Sequence, residues 1–431
     1  MAQRLDFTKS GFEERFRALI GVKREAAEDI EAVVATILRD VAEQGDEALI
    51  EYSRRFDKVE LSPATLRVSE DEIEAAVAAS PRDALEALSF ARERIEAFHL
   101  RQRPKDDHFS DGLGVRLGLR WTPIQAVGIY VPGGTASYPS SVLMNAVPAK
   151  VAGVRRIVMV APTRERRHDP LVLAAAKLAG VDEIYRIGGA QAVAALAFGT
   201  ASIDPVAKIV GPGSAYVTAA KRRVFGHVGI DSIAGPSEVV VLADKSANPD
   251  WVALDLLAQA EHDGASQSIL ITDDPVLADA VEKRIALHLA ELPRAAIARA
   301  SWRDFGAVIL VPALAKAVDL VDRLAPEHLE IATEEPETLA ALVRNAGAIF
   351  LGHFTPEAIG DYVGGPNHVL PTARTARFSS GLGVTDFMKR TTLLDATRAG
   401  LSALAPAAVT LAKAEGFDAH ARSVSARLNR G

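Results

Sequence analysis

The chain has 431 residues, 48% of them apolar and 24% charged, with no cysteine. That length allows roughly two to four domains, and the missing thiols exclude disulfides, thiolate zinc sites, iron–sulfur clusters and a cysteine nucleophile. Lys+Arg is 49 against Asp+Glu 56, a formal net charge of −7, without the basic excess that polyanion binding requires, so no nucleic-acid partner is expected.

Residues 1–10 hold Arg4, Asp6 and Lys9 and no apolar run of the kind that marks a secretory signal. No stretch reaches the roughly 20 apolar residues that cross a bilayer. The sequence therefore predicts a soluble, cytoplasmic protein with no membrane partner. From Gly11 to about Arg103 the pattern is mainly helical, with Ile30, Val33, Val34, Ile37, Leu38 and Val41 at helical spacing. Ser69-Glu70-Asp71-Glu72 opens a further helix as a capping box, and Leu85, Leu88 and Ile95 follow on one face. Leu113 to Leu119 alternates like an antiparallel strand.

After Pro123, short β-rich runs at 126–131, 156–160, 183–187 and 208–210 each end in Gly or Pro and precede an Ala-rich helical stretch. A second series follows at 238–242, 268–272, 307–311, 329–332 and 348–351. Strand–turn–helix at this spacing predicts parallel sheets with crossover helices. Two successive α/β sheets with a ligand between them are the simplest reading. Arg164, Arg166, Arg167 and His168, between Pro162 and Pro170, read as a solvated turn. The segment from Arg398 onward is helical and suited to packing on a partner.

Three glycine-rich strand ends carry candidate chemistry: Tyr130-Val-Pro-Gly133-Gly134-Thr135, Gly188-Gly189-Ala190-Gln191 and Gly211-Pro212-Gly213-Ser214. None is the G-x-G-x-x-G fingerprint, and each alone reads as a tight turn. Three together favour a nucleotide crevice, because glycines let backbone amides approach a phosphate at a helix N-terminus. A helix opening at Asn248-Pro249 ends in Gln259-Ala-Glu261-His262, which places Gln259 and His262 on one face where both could reach one ion. A histidine at a helix end also serves as a cap or in packing. Glu327 and His328 are adjacent just before a strand, where both can face one cleft or simply form a solvated turn. The run from Thr355 to His368, with Asp361 and His368 among glycines and prolines, is denser in special residues than packing needs.

Tyr130-Val-Pro-Gly-Gly-Thr, Gly235-Pro-Ser237-Glu, Gln259-Ala-Glu-His262, Pro326-Glu-His-Leu, Gly360-Asp-Tyr-Val-Gly-Gly-Pro-Asn-His368 and Phe378-Ser-Ser-Gly-Leu together resemble the histidinol dehydrogenase family, over essentially the whole chain. The resemblance implies a zinc-dependent oxidation of L-histidinol to L-histidine in histidine biosynthesis. It proceeds through the aldehyde and reduces two NAD. It implies a zinc site of Gln259, His262, Asp361 and His420, with the histidine arriving from the neighbouring subunit of a homodimer. Glu327 and His328 match the acid–base pair. Ser237, Glu415 and His368 match positions that contact substrate beside the zinc ligands and His328. Tyr130, Gln191 and Ser214 match NAD-contacting positions. Ser214 stands where the family commonly has asparagine, and its shorter side chain predicts modestly weaker NAD binding.

The fold so implied is α/β, with two Rossmann-like parallel-sheet domains, an N-terminal helical region and a C-terminal helical arm. The expected units are residues 1–25, a helical segment; 26–129 plus 237–381, a first α/β domain; 130–236, the NAD-contacting domain; and 382–431, an arm completing the partner's site. Without a thiol to add to the aldehyde, water must add before a second hydride can leave, which asks for a carboxylate base such as Glu327. Two other readings stand beside this one. The first is a related dehydrogenase for another amino- or sulfo-alcohol, and the second a metal-dependent hydrolase with Glu327 as base.

Overall fold

The computed structural model describes residues 2–22, 29–133, 138–163 and 168–428; Gly134, Thr135, Arg164, Arg166 and Arg167 lie outside them. β1 (Gln3–Asp6) opens the chain, and β2 (Asp107–Ser110) and β3 (Val115–Pro123) follow a long helical stretch. β4 (Ala126–Tyr130), β5 (Arg156–Val160), β6 (Glu183–Tyr185), β7 (Lys208–Val210) and β8 (Gly229–Ile230) form a parallel sheet in the order β6-β5-β4-β7-β8. β9 (Glu238–Ala243), β10 (Gln267–Thr272), β11 (Ala307–Leu310), β12 (His328–Ala332) and β13 (Ala348–Leu351) form a second parallel sheet, ordered β1-β11-β10-β9-β12-β13. β14 (Met388–Ala396) pairs antiparallel with β3, which pairs with β2.

Within each parallel sheet the successive strands lie third, second, first, fourth, fifth, the doubly wound order. Alternate side chains of each strand feed opposite faces, so each sheet is covered on both. Val158, Val160 and Ile209 pack on one side of the first sheet and Ile157, Met159 and Val210 on the other. In the second sheet Val239 and Val241 oppose Val240 and Leu242 in the same way. Truncating one of the Ile, Leu or Met side chains among them to alanine costs about 2–5 kcal/mol.

The nine strand runs expected after Pro123 fall on β4–β7 and β9–β13. The Ser69 capping box is formed: Glu72 N–H donates to Ser69 Oγ at 3.3 Å and Ser69 N–H to Glu72 Oε2 at 3.0 Å. The two chain ends carry strands that the helical reading leaves out. β1 adds to the edge of the second sheet beside β11, and β14 opens the C-terminal segment before the helices Arg398–Ala414 and Asp418–Leu428. The helices between residues 29 and 100 pack on the first sheet: Val34, Ile37, Leu38 and Val41 join Tyr130, Ile187 and Ala190 in one apolar cluster. His168, expected in a solvated turn, is instead pushed down to about 4 by burial, with the Arg186 charge nearby adding to the effect. Among the described residues no helix is long and apolar enough to cross a membrane.

Candidate functional site

The densest polar cluster sits at the amino ends of β9 and β12, neighbours at the reversal point of the second sheet. His328 is the first residue of β12, and Glu327 lies one residue outside the ladder, so their side chains need not alternate. Glu327 Oε2 accepts the N–H of Glu238 at 3.0 Å and lies 3.8 Å from His328 Nδ1. Nδ1 is 3.0 Å from the Glu238 carbonyl. A carbonyl only accepts, so Nδ1 carries the proton. Nε2, buried and without a protein partner, presents its lone pair. Burial pushes His328 down to about 3, with His262 and His368 facing it, so the ring is neutral at physiological pH.

Three other segments converge here. The helix Pro249–Ala260 begins at Asn248, whose side chain accepts the Asp250 N–H at 2.8 Å, and runs back toward the amino edge of the sheet. Near its far end Gln259 is fully buried, and neither amide atom has a hydrogen-bond partner. His262 follows in the turn, with Nε2 3.9 Å from Asp361 Oδ2. The short helix Glu357–Tyr362 brings Asp361 and Glu357, and His368 closes the group, its Nδ1 3.0 Å from the Asp361 carbonyl and its Nε2 3.5 Å from Ser141 Oγ. Ser141 belongs to the helix Pro139–Ala152 that follows β4, so this contact joins the two sheets.

Glu357 was not singled out from the sequence, although it lies in the run flagged at Thr355–His368. Its carboxyl is buried, with Oε1 3.3 Å from His328 Nδ1, and its N–H donates to Glu330 Oε1 at 2.6 Å. Burial, then the charges of Asp361, Glu330 and Glu327, hold it well above the usual carboxylate range. His328, Glu357 and Asp361 offer ligand atoms within 4.8 Å of one another, a group able to hold a metal ion. The expected set Gln259, His262 and Asp361 overlaps it at Asp361. A buried carboxamide with no partner is costly, and an oxygen–nitrogen donor set suits zinc, so the chemistry of these three residues fits such an ion.

Two expected site residues stand apart. Glu415 and His420 are solvent-exposed on the C-terminal helices, where His420 packs against Phe417 with ring centroids 5.2 Å apart. Among the described residues, neither is bonded to the cluster. Ser237 immediately precedes β9, half-buried, and its carbonyl accepts the Gln267 N–H at 3.0 Å.

The expected nucleotide contacts lie at the carboxyl edge of the first sheet, where doubly wound folds bind ligands. Tyr130 ends β4; its hydroxyl accepts the Gly189 N–H at 3.0 Å, and burial pushes it up to about 12. Gln191, in the first turn of the helix Gly189–Phe198, is buried with both amide atoms unpartnered. A Cβ on Gly188 would lie 2.6 Å from Pro162, and one on Gly211 (φ +105°) 2.3 Å from the Tyr130 carbonyl oxygen. Glycine is needed for these backbones to meet. Ser214 is exposed at the N-terminus of the helix Ala215–Val224, leaving its hydroxyl available.

A family model described as histidinol dehydrogenase matches residues 22–428. The chain is 65% identical over 429 residues to a histidinol dehydrogenase of Rhodopseudomonas palustris, covering 100% of both chains. It is 63% identical over 431 residues to one of Rhizobium meliloti, covering 100% of this chain and 99% of the relative. The crystal structure of histidinol dehydrogenase from Elizabethkingia anophelis superposes with a TM-score of 0.95 at 38% identity, covering 99% of this chain and 98% of that one.

Proposed function

The chain belongs to the histidinol dehydrogenase family and is an oxidoreductase of histidine biosynthesis, and from that premise we propose a four-electron oxidation of L-histidinol with one zinc per site and two NAD reduced. This membership removes the hydrolase reading. Gln259, His262, Asp361 and His420 of the partner subunit would hold the zinc, and Tyr130, Gln191 and Ser214 would contact NAD. When bound, zinc would fix the substrate's nitrogens and NAD would take up hydride.

The chain's own residues then divide the proton work. His328 Nε2 accepts the alcohol proton; its Nδ1–H stays on the Glu238 carbonyl, which holds the ring in the tautomer that leaves the Nε2 lone pair free to accept. Glu357 Oε1 lies 3.3 Å from Nδ1, its carboxyl held well above the usual range by burial and the neighbouring acids, so it supports the ring as a polar neighbour and not as a fixed counter-charge. With no cysteine to add to the aldehyde, Glu327 takes a proton from water as the water oxygen bonds to the carbonyl carbon, and the protonated His328 returns its proton to the carbonyl oxygen, which gives the hydrate and leaves the ring neutral. His328 then removes a hydroxyl proton from the resulting hydrate. Ser237, His368 and the partner subunit's Glu415 would line the substrate pocket in a homodimer with shared sites. The same reading makes 130–236 the NAD-contacting unit, 1–25 the N-terminal segment and 382–431 the exchanged arm of a cytoplasmic enzyme; the helices of 26–129, expected in one unit with 237–381, pack instead on the first sheet.

The observation that carries this reading is the fully buried Gln259 amide without a partner, on the helix that leads into His262, whose Nε2 lies 3.9 Å from Asp361 Oδ2. Metal analysis of purified protein, combined with counting NADH per histidinol, tests it. Stoichiometric zinc and two NADH are expected. One NADH per histidinol, or full activity in metal-stripped protein, would overturn it.

A further inference from the structure

A buried ion pair lies behind the crevice at the carboxyl edge of the first sheet, away from the residues assigned to chemistry. Lys221 sits two turns into the helix Ala215–Val224, and Asp231 follows β8; they are paired, with side-chain exposures of 3% and 5%. Both reach the backbone of Gly211. Lys221 Nζ donates to the Gly211 carbonyl at 3.1 Å, and Asp231 Oδ2 accepts the Gly211 N–H at 2.7 Å. Asp231 is itself held, its N–H donating to the Ile209 carbonyl at 3.2 Å and its Oδ1 accepting the Ser232 N–H at 2.7 Å.

A buried ion pair is weak support for a fold, because desolvating two charges offsets much of their attraction. Its value here is geometric. Gly211 is where β7 leaves the sheet beside the end of β4, and its backbone lies against the Tyr130 carbonyl so closely that a Cβ would sit 2.3 Å away. Three residues on, Ser214 opens the helix that carries Lys221. The loop Gly211–Ser214 is thus closed by its own helix reaching back, with the backbone donor and acceptor of one residue both taken. The β4–β7 ladder sets where the loop starts, at Val210 opposite Ile129, and the closure fixes its course beyond that point.

We propose that Lys221 and Asp231 are positioning residues for the dinucleotide, a buried clamp on Gly211 that sets the distance between the Tyr130 and Ser214 sides of the crevice. This rests on the reading that NAD occupies that crevice. The role is in binding, so it changes the KM for NAD and not that for histidinol.

Two double variants test it in the full-length, zinc-loaded enzyme. In Lys221→Met/Asp231→Asn no uncompensated charge is left buried, and the asparagine oxygen still accepts from Gly211, but the carbonyl loses its donor. In Lys221→Asp/Asp231→Lys the attraction between the two side chains is kept while both contacts to Gly211 are inverted, acceptor against acceptor and donor against donor. NAD KM and NADH dissociation constant, read by nucleotide fluorescence, should rise about tenfold in the first and further in the second. Histidinol KM, zinc content and melting temperature should stay near parental in the first. A merely structural pair would instead be rescued by the charge exchange. NAD KM within twofold of parent in a folded first variant, or restored in the exchange, overturns the clamp. Tyr130→Phe and Gln191→Ala separate the underlying reading: if neither weakens NADH binding, the nucleotide is elsewhere and both ideas fail. If they weaken it and the clamp variants do not, the clamp alone fails.

Discussion

Replacing Glu327 by glutamine isolates the water-activating step. The carboxylate is buried and its Oε2 accepts the Glu238 N–H at 3.0 Å. A glutamine oxygen can take over that acceptor role at nearly the same volume, so the strand junction is kept. What disappears is the negative charge and the ability to take a proton. Positioned general-base help contributes about 10²–10⁴-fold, equivalent to about 3–5 kcal/mol of barrier at roughly 1.36 kcal/mol per decade. The loss should fall on one oxidation of the two. With histidinol, the first NADH should form as a burst near the parental rate, and the second should follow slower by that factor. Supplying the aldehyde already hydrated bypasses the step Glu327 performs, so its oxidation should be far less impaired. Stopped-flow absorbance of NADH on both substrates reads the difference directly. Equal losses on histidinol and on the hydrate would remove Glu327 from this role and leave it as a structural partner of Glu238.

Site sharing can be tested by mixing His420→Asn subunits with Asp361→Asn subunits. Each homodimer should lose zinc and activity. A verified heterodimer retains one site with both native ligands and should recover up to about half of parental turnover; none recovered would mean that the arm does not cross between subunits. A separate prediction concerns stability. Burial pushes the Asp57 carboxyl up to about 6, and its Oδ2 has no partner. A folded value above the unfolded one means that the folded state holds the proton more tightly. The associated stability is present below about pH 4 and is lost as pH rises through about 6. Asp57→Asn should therefore gain about 1 kcal/mol at pH 8, after allowing for solvent screening at this partly exposed group, and nothing at pH 4. An equal shift of melting temperature at both pH values would contradict that linkage.

β4–β7 and β9–β12 were legible because each is a largely buried, apolar run, and burial on both faces leaves little alternation to misread; the half-exposed β13 was legible from its apolar residues, and the two-residue β8 was not foreseen. β1 and β14 lack that signature. β1 buries Leu5 and little else, and β14 buries none of its nine residues; both exist through pairing with β11 and β3. Helical periodicity likewise showed that Val34, Ile37, Leu38 and Val41 share an apolar face. It carried no information about which sheet that face would meet, since any flat apolar surface satisfies the same periodicity.

The site divides along the same line. Gln259, His262, Glu327, His328, Asp361 and His368 stand out as chemistry-bearing residue types in unusual local settings, and the fold gathers them at one sheet edge. The features that make the group reactive are not local. The tautomer of His328 is set by the backbone carbonyl of Glu238, 90 positions earlier, and a carbonyl leaves no residue-type signal at all. Glu357 reads as an ordinary first-turn carboxylate after Pro356. It faces His328 only because β12 and β13 are adjacent and the chain leaving β13 turns back over them. The perturbed protonation of both follows from burial, a property of the assembled sheet and not of either segment. Glu415 and His420 carry this furthest. Both stay in solvent within their own chain, so the role proposed for them at the site needs a second copy, and an experiment on two subunits tests it.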